Sequence, residues 1–100
     1  MLITIKYTRP NTNVSWWTTI MPIETKDHYQ ATYLTPGHLV EESFIESQDG
    51  LELTHIGHWS GEPAVLNMFL TDEVVNAWKQ IRTQYCLENG ILAGEADIVE

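Results

Sequence analysis

Only one cysteine, Cys86, occurs in the chain, which excludes an internal disulfide and makes a reducing compartment the simpler expectation. Cations are scarce too: Lys6, Arg9, Lys26, Lys79 and Arg82 stand against fourteen acidic side chains, for a net charge of −9. Such a balance repels a nucleic-acid backbone and an anionic membrane surface alike, and five scattered cations form no phosphate-binding stripe. No apolar run approaches the roughly 18–20 residues of a membrane span, and Met1–Lys6 lacks the basic-then-apolar layout of a secretion signal. The expectation is therefore a cytoplasmic protein with no nucleic-acid and no membrane partner. Also missing are a glycine loop that could cradle phosphate, a nucleophile elbow and a Cys-x-x-Cys pair. No cofactor and no metal is expected.

What is present is apolar material, 43% of 100 residues, enough for one core. Residues 1–100 read as a single domain. Leu2–Thr8 alternates, with Ile3, Ile5 and Tyr7 on one face, and predicts a strand that Arg9-Pro10-Asn11 ends. Val14–Ile23, with Trp16-Trp17 and Pro22, shows no sustained period and reads as extended connection. Thr25 is the expected N-cap of a helix of roughly ten residues carrying Tyr29, Tyr33 and Leu34, stopped by Pro36-Gly37.

In Leu39–Ser47 the apolar phase shifts midway, as in a bulged strand or one covered on both faces. Asp49-Gly50 then predicts a hairpin into a strand over Leu51–Trp59. That strand sets Leu53, His55 and Trp59 opposite Ile56 and His58. Pro63 opens a long helical region that breaks near Leu70-Thr71, where Thr71 is the expected capping hydroxyl, and Asn89-Gly90 closes it. Ile91–Glu100 reads as the last strand. The order is β-α-β-β-α-β: an α+β, ferredoxin-like fold with a four-stranded antiparallel sheet. Its strands carry more apolar surface than two helices hide, which predicts a homodimer.

Gly37-His38-Leu39, Asp49-Gly50-Leu51, a strand closing in His58-Trp59 and a helix running into Phe69-Leu70-Thr71-Asp72 together resemble the dimeric α+β barrel proteins. Among these are antibiotic-biosynthesis-monooxygenase-type and related small proteins. The resemblance implies two ferredoxin-like subunits packed sheet against sheet, and spans cofactor-independent monooxygenases, haem-binding and haem-degrading enzymes, isomerases and proteins without activity. Its enzymes commonly use an Asn, Trp and His set. Trp59, His55 and His58 supply two of those types, whereas Asn67 and Asn76 lie on the helical region without a supporting motif.

Two readings follow. The first is a structural or small apolar ligand-binding barrel, since each conspicuous residue has a packing explanation. The second is a monooxygenase or related enzyme acting on a small aromatic substrate in a cavity lined by His55, His58, Trp59 and Tyr7. A third, an acidic adaptor for a basic partner, predicts salt-sensitive association. Imidazole moves protons near neutral pH, but His55 and His58 are three residues apart in a strand and point oppositely, so they share no metal. His28 and His38 read as surface residues, and Glu41-Glu42 as a solvated strand edge. Of adjacent Trp16 and Trp17, one is left free to cover a cavity mouth or touch a partner.

Overall fold

The computed structural model describes all of residues 1–100. Its sheet holds β1 (Leu2–Thr8), β2 (Leu39–Glu46), β3 (Glu52–Trp59), β4 (Leu92–Ala93) and β5 (Asp97–Val99) in the order β2-β3-β1-β4, with β5 also on β1. All pairings are antiparallel. The expected last strand is therefore present as two short pieces along one edge. The chain leaves the ladder between them at Gly94, whose N–H still donates to Lys6 O at 2.8 Å, and an added Cβ there would stand 3.2 Å from that oxygen.

Register fixes which side chains share a face. Tyr7 pairs with Leu53, Ile5 with His55 and Ile3 with Gly57, and this row meets the helices. Leu2 with His58 and Thr4 with Ile56 lie on the other face. The hairpin at Asp49-Gly50 forms as expected, with Gly50 at φ +75°, a conformation glycine adopts without strain. The phase shift in β2 is a bulge at Val40: Leu39 opposes Trp59, and Glu41, not Val40, opposes His58.

The connection after β1 is not extended. Arg9 donates to Gly50 O, Val14 O and Glu46 Oε1, Trp16 Nε1 also donates to Glu46, and Trp17–Ile20 coil into a 3-10 turn that seats Trp17 in the core. α1 (Ile23–Tyr29) begins three residues earlier than predicted because Pro22 presets the entry angle, so Thr25 is buried in the first turn and caps nothing. Gln30–Leu34 continues it as a π-turn closed by Thr35 N–H on Gln30 O, and Gly37 at φ +82° ends it.

The long helical region divides where expected into α2 (Pro63–Thr71) and α3 (Glu73–Asn89), but the cap is Asp72. Its Oδ1 accepts from Val74 and Val75 N–H, while the Thr71 hydroxyl turns back to Asn67 and Met68 carbonyls. Asp72 Oδ2 accepts from buried Tyr33 OH at 2.6 Å and lies 2.5 Å from His28 Nε2, which ties α1 to the helix break. His28 is thus part of an internal network. Burial by itself would raise the Asp72 carboxyl, but the bonds from His28, Tyr33 and Val75 outweigh it and hold the group below the usual carboxylate range. A depressed carboxyl contributes stability above its unfolded pKa and loses it as pH falls through the folded one. Acid unfolding should therefore begin below about pH 4 and be blunted in Asp72→Asn, which keeps a cap. Asp72→Ala should cost about 2–3 kcal/mol in urea denaturation, from the lost cap and an orphaned Tyr33 hydroxyl.

Candidate functional site

The core is split. Tyr7, Trp16, Trp17, Leu53, Trp78, Cys86 and Ile91 form one cluster, and Tyr33, Leu39, Trp59, Val65 and Val75 the other. Between them, under the helices of one chain, lies a cavity of about 370 Å³ walled by members of both, with Trp17 and Trp78 from the first and Leu39 and Trp59 from the second. Tyr29 and Phe69 complete an aromatic lining. Gly57 on β3 keeps room for the Trp59 ring: a Cβ there would sit 3.1 Å from Trp59 Nε1. A second space of about 380 Å³ adjoins it and shares Trp17, Met21, Tyr29 and Glu42.

Three charged side chains and one imidazole join these apolar walls: Glu42, Lys79, Arg82 and His55. Glu42 is brought inside by the β2 bulge, which restarts the alternation so that Glu42 opposes Gly57. There its Oε1 lies 3.1 Å from His55 Nε2. His55 is stacked on Phe44 at 4.5 Å and meets Trp17 edge-on at 5.6 Å, so its ring is held in place. Lys79 Nζ sits 4.7 Å over Phe69, and burial with the Arg82 charge beside it lowers its pKa. Arg82 lies 5.3 Å over Trp17. Burial, reinforced by Glu42 and Asp72 and partly opposed by Arg82, pushes the Tyr29 phenol up to about 12, so it remains a hydroxyl at neutral pH.

Trp17 sits at the centre. It contacts Tyr7, Phe44, His55 and Trp78, is 1% exposed, and its indole N–H has no hydrogen-bond partner. A buried donor left unpaired costs about 1–3 kcal/mol. Such a group in a folded core asks for a ligand, a water or a functional reason.

Of the four residues singled out from sequence, His55 and Trp59 line the cavity. Tyr7 stands behind it, 5.1 Å from Trp17, and lines a separate groove with Arg82, Cys86 and Ile91. His58 is exposed on the opposite face of the sheet. The cavity lies within one chain, between the sheet and the side chains of α1, α2 and α3. Glu42, Lys79, Arg82 and Tyr29 escaped the sequence reading, Glu42 because its inward turn depends on a bulge whose position alternation alone does not locate. Cys86 is buried, and that burial raises its thiol pKa, which suits packing rather than nucleophilic attack. No helix is long and apolar enough to cross a membrane.

No protein-family model matches the chain, and no curated protein matches it in sequence. Among solved structures, a Deinococcus radiodurans protein provisionally assigned as an antibiotic biosynthesis monooxygenase aligns over 100% of this chain and 96% of its own, at 13% identity and TM-score 0.50. A second antibiotic biosynthesis monooxygenase aligns over 100% of both chains at 14% identity and TM-score 0.51. The chain shares the ferredoxin-like α+β fold of these antibiotic biosynthesis monooxygenase-type proteins.

Proposed function

We propose that the chain binds a small hydroxyaromatic molecule in the cavity between sheet and helices, and that His55 takes the hydroxyl proton as the first step of cofactor-independent oxygenation. The observation that carries this reading is the convergence of the His55–Glu42 pair with Trp17, Tyr29 and Trp59 around one cavity of about 370 Å³, within the size range of small-molecule sites. With Glu42 accepting from Nε2–H, the other ring nitrogen is the base, and the Glu42 carboxylate stabilises the imidazolium that forms. The aromatic walls surround the ring of the ligand, and the Trp17 N–H supplies an unused donor for a nascent phenolate.

A phenolate is an electron-rich ring that can itself reduce O2. One oxygen atom ends as a quinone carbonyl at a ring carbon that loses its hydrogen, and the other leaves as water. No further reductant enters that balance. Oxygenation is also the activity named for the two structural neighbours. With 1-naphthol as probe, wild-type protein should consume one O2 per quinone formed, read by an oxygen electrode and quinone absorbance. Saturable binding of 1-naphthol without oxygen uptake would reduce the site to the ligand-binding role.

The assembly we propose is a homodimer through the open face of the sheet. Leu2, Ile45 and Val99 are 41%, 56% and 56% exposed there, and Ile56 is half-buried beside them. Exposed apolar residues gathered on one sheet face suit a self-complementary contact. Light scattering at micromolar concentration should give twice the chain mass of 11.5 kDa, and Ile45→Lys should shift it to monomer. A persistent monomer in wild type would refute the assembly while leaving the intrachain cavity untouched.

A further inference from the structure

The five basic side chains are not distributed as the charge balance would suggest. Lys6 pairs with Glu52 at 3.8 Å and Arg9 with Glu46 at 2.7 Å, whereas Lys79 and Arg82 form no salt bridge although acidic residues outnumber basic ones fourteen to five. One turn apart on α3, they share a helix face. Both line the inner cavity, half-buried, with Phe69 and Trp17 rings against them. The one carboxylate in that lining, Glu42, is engaged with His55. Two adjacent cations withdrawn from water repel each other, and cation–π contacts return only part of the cost. An anion between them would offset the rest. The third unpaired cation, Lys26, lines the adjoining outer space, on the approach to the same site.

We propose that Lys79 and Arg82 form a carboxylate clamp, so that the substrate class of this site is an aromatic hydroxy acid. The proposal rests on the cavity being the binding site and adds to it the charge of the ligand. The rings of the molecule occupy the tryptophan-lined space, its carboxylate accepts from Arg82 and Lys79, and its hydroxyl is presented toward the His55 side. The net charge of −9 makes the test discriminating, because nonspecific attraction would favour a neutral ligand over an anion.

The experiment is a tryptophan-fluorescence titration of wild-type protein with 2-naphthoate and with its uncharged methyl ester, at neutral pH and low salt. Charge-assisted hydrogen bonds from both cations should make naphthoate about tenfold the tighter ligand. Lys79→Met and Arg82→Gln should each cut that ratio several-fold, and a ratio unchanged in both variants would overturn the clamp. Should the ester bind wild type as tightly as the anion, the clamp falls and the cavity reading stands. If neither compound changes the fluorescence, both fall. The comparison of ligands on wild type needs no variant, so a misfolded substitution cannot decide it.

Discussion

Trp17→Ala should lose about 3–5 kcal/mol of stability, the cost of truncating a large ring inside a packed core. In a domain of this size that corresponds to a fall in Tm of more than about 12 °C. The reason lies in its position: Tyr7 of β1, Phe44 of β2, His55 of β3 and Trp78 of α3 all pack on it. Trp17→Phe separates packing from chemistry. It should keep most of the stability, since the N–H it removes has no partner in the unliganded protein, yet weaken binding of 1-naphthol if that N–H meets the phenolate. Thermal denaturation followed by near-ultraviolet circular dichroism reads the first effect and fluorescence titration the second. An Ala variant as stable as wild type would contradict the packing role.

The other large effect concerns the reaction. His55→Ala should slow quinone formation from 1-naphthol by roughly 10²–10⁴-fold, the usual contribution of a positioned general base, while the Kd for 1-naphthol changes only a few-fold. Glu42→Gln keeps the hydrogen bond to Nε2 but removes the charge that stabilises the imidazolium. Its rate should fall less than that of His55→Ala, and a variant that turns over at the wild-type rate would leave Glu42 a structural role only. Oxygen uptake in His55→Ala at the wild-type rate would remove His55 from the chemistry.

The elements that were legible from residues alone were those with a local cause. Alternation in Leu2–Thr8, the Asp49-Gly50 turn, Pro63 and Asn89-Gly90 each act over a few positions, and each stands where expected. The same alternation assigned His55 and His58 to opposite faces. What escaped was set by tertiary contact. The 3-10 turn at Trp17–Ile20 exists because Arg9 gathers Gly50, Val14 and Glu46 around Trp16. Asp72 displaced Thr71 as the cap because its second oxygen is also needed by Tyr33 and His28. Both pairs are about forty residues apart, out of reach of any periodicity. The site was half visible for the same reason: His55 and Trp59 share a strand, whereas Glu42, Lys79 and Arg82 join them only through a bulge and a helix docking.

The most direct measurement follows the four tryptophan indole N–H signals by heteronuclear NMR during addition of 1-naphthol. An occupied cavity should shift the signals of Trp17, Trp59 and Trp78, which line it, and leave that of Trp16, which donates to Glu46 outside it, in place. Four unmoved signals at millimolar naphthol would mean that the space between sheet and helices takes no aromatic ligand.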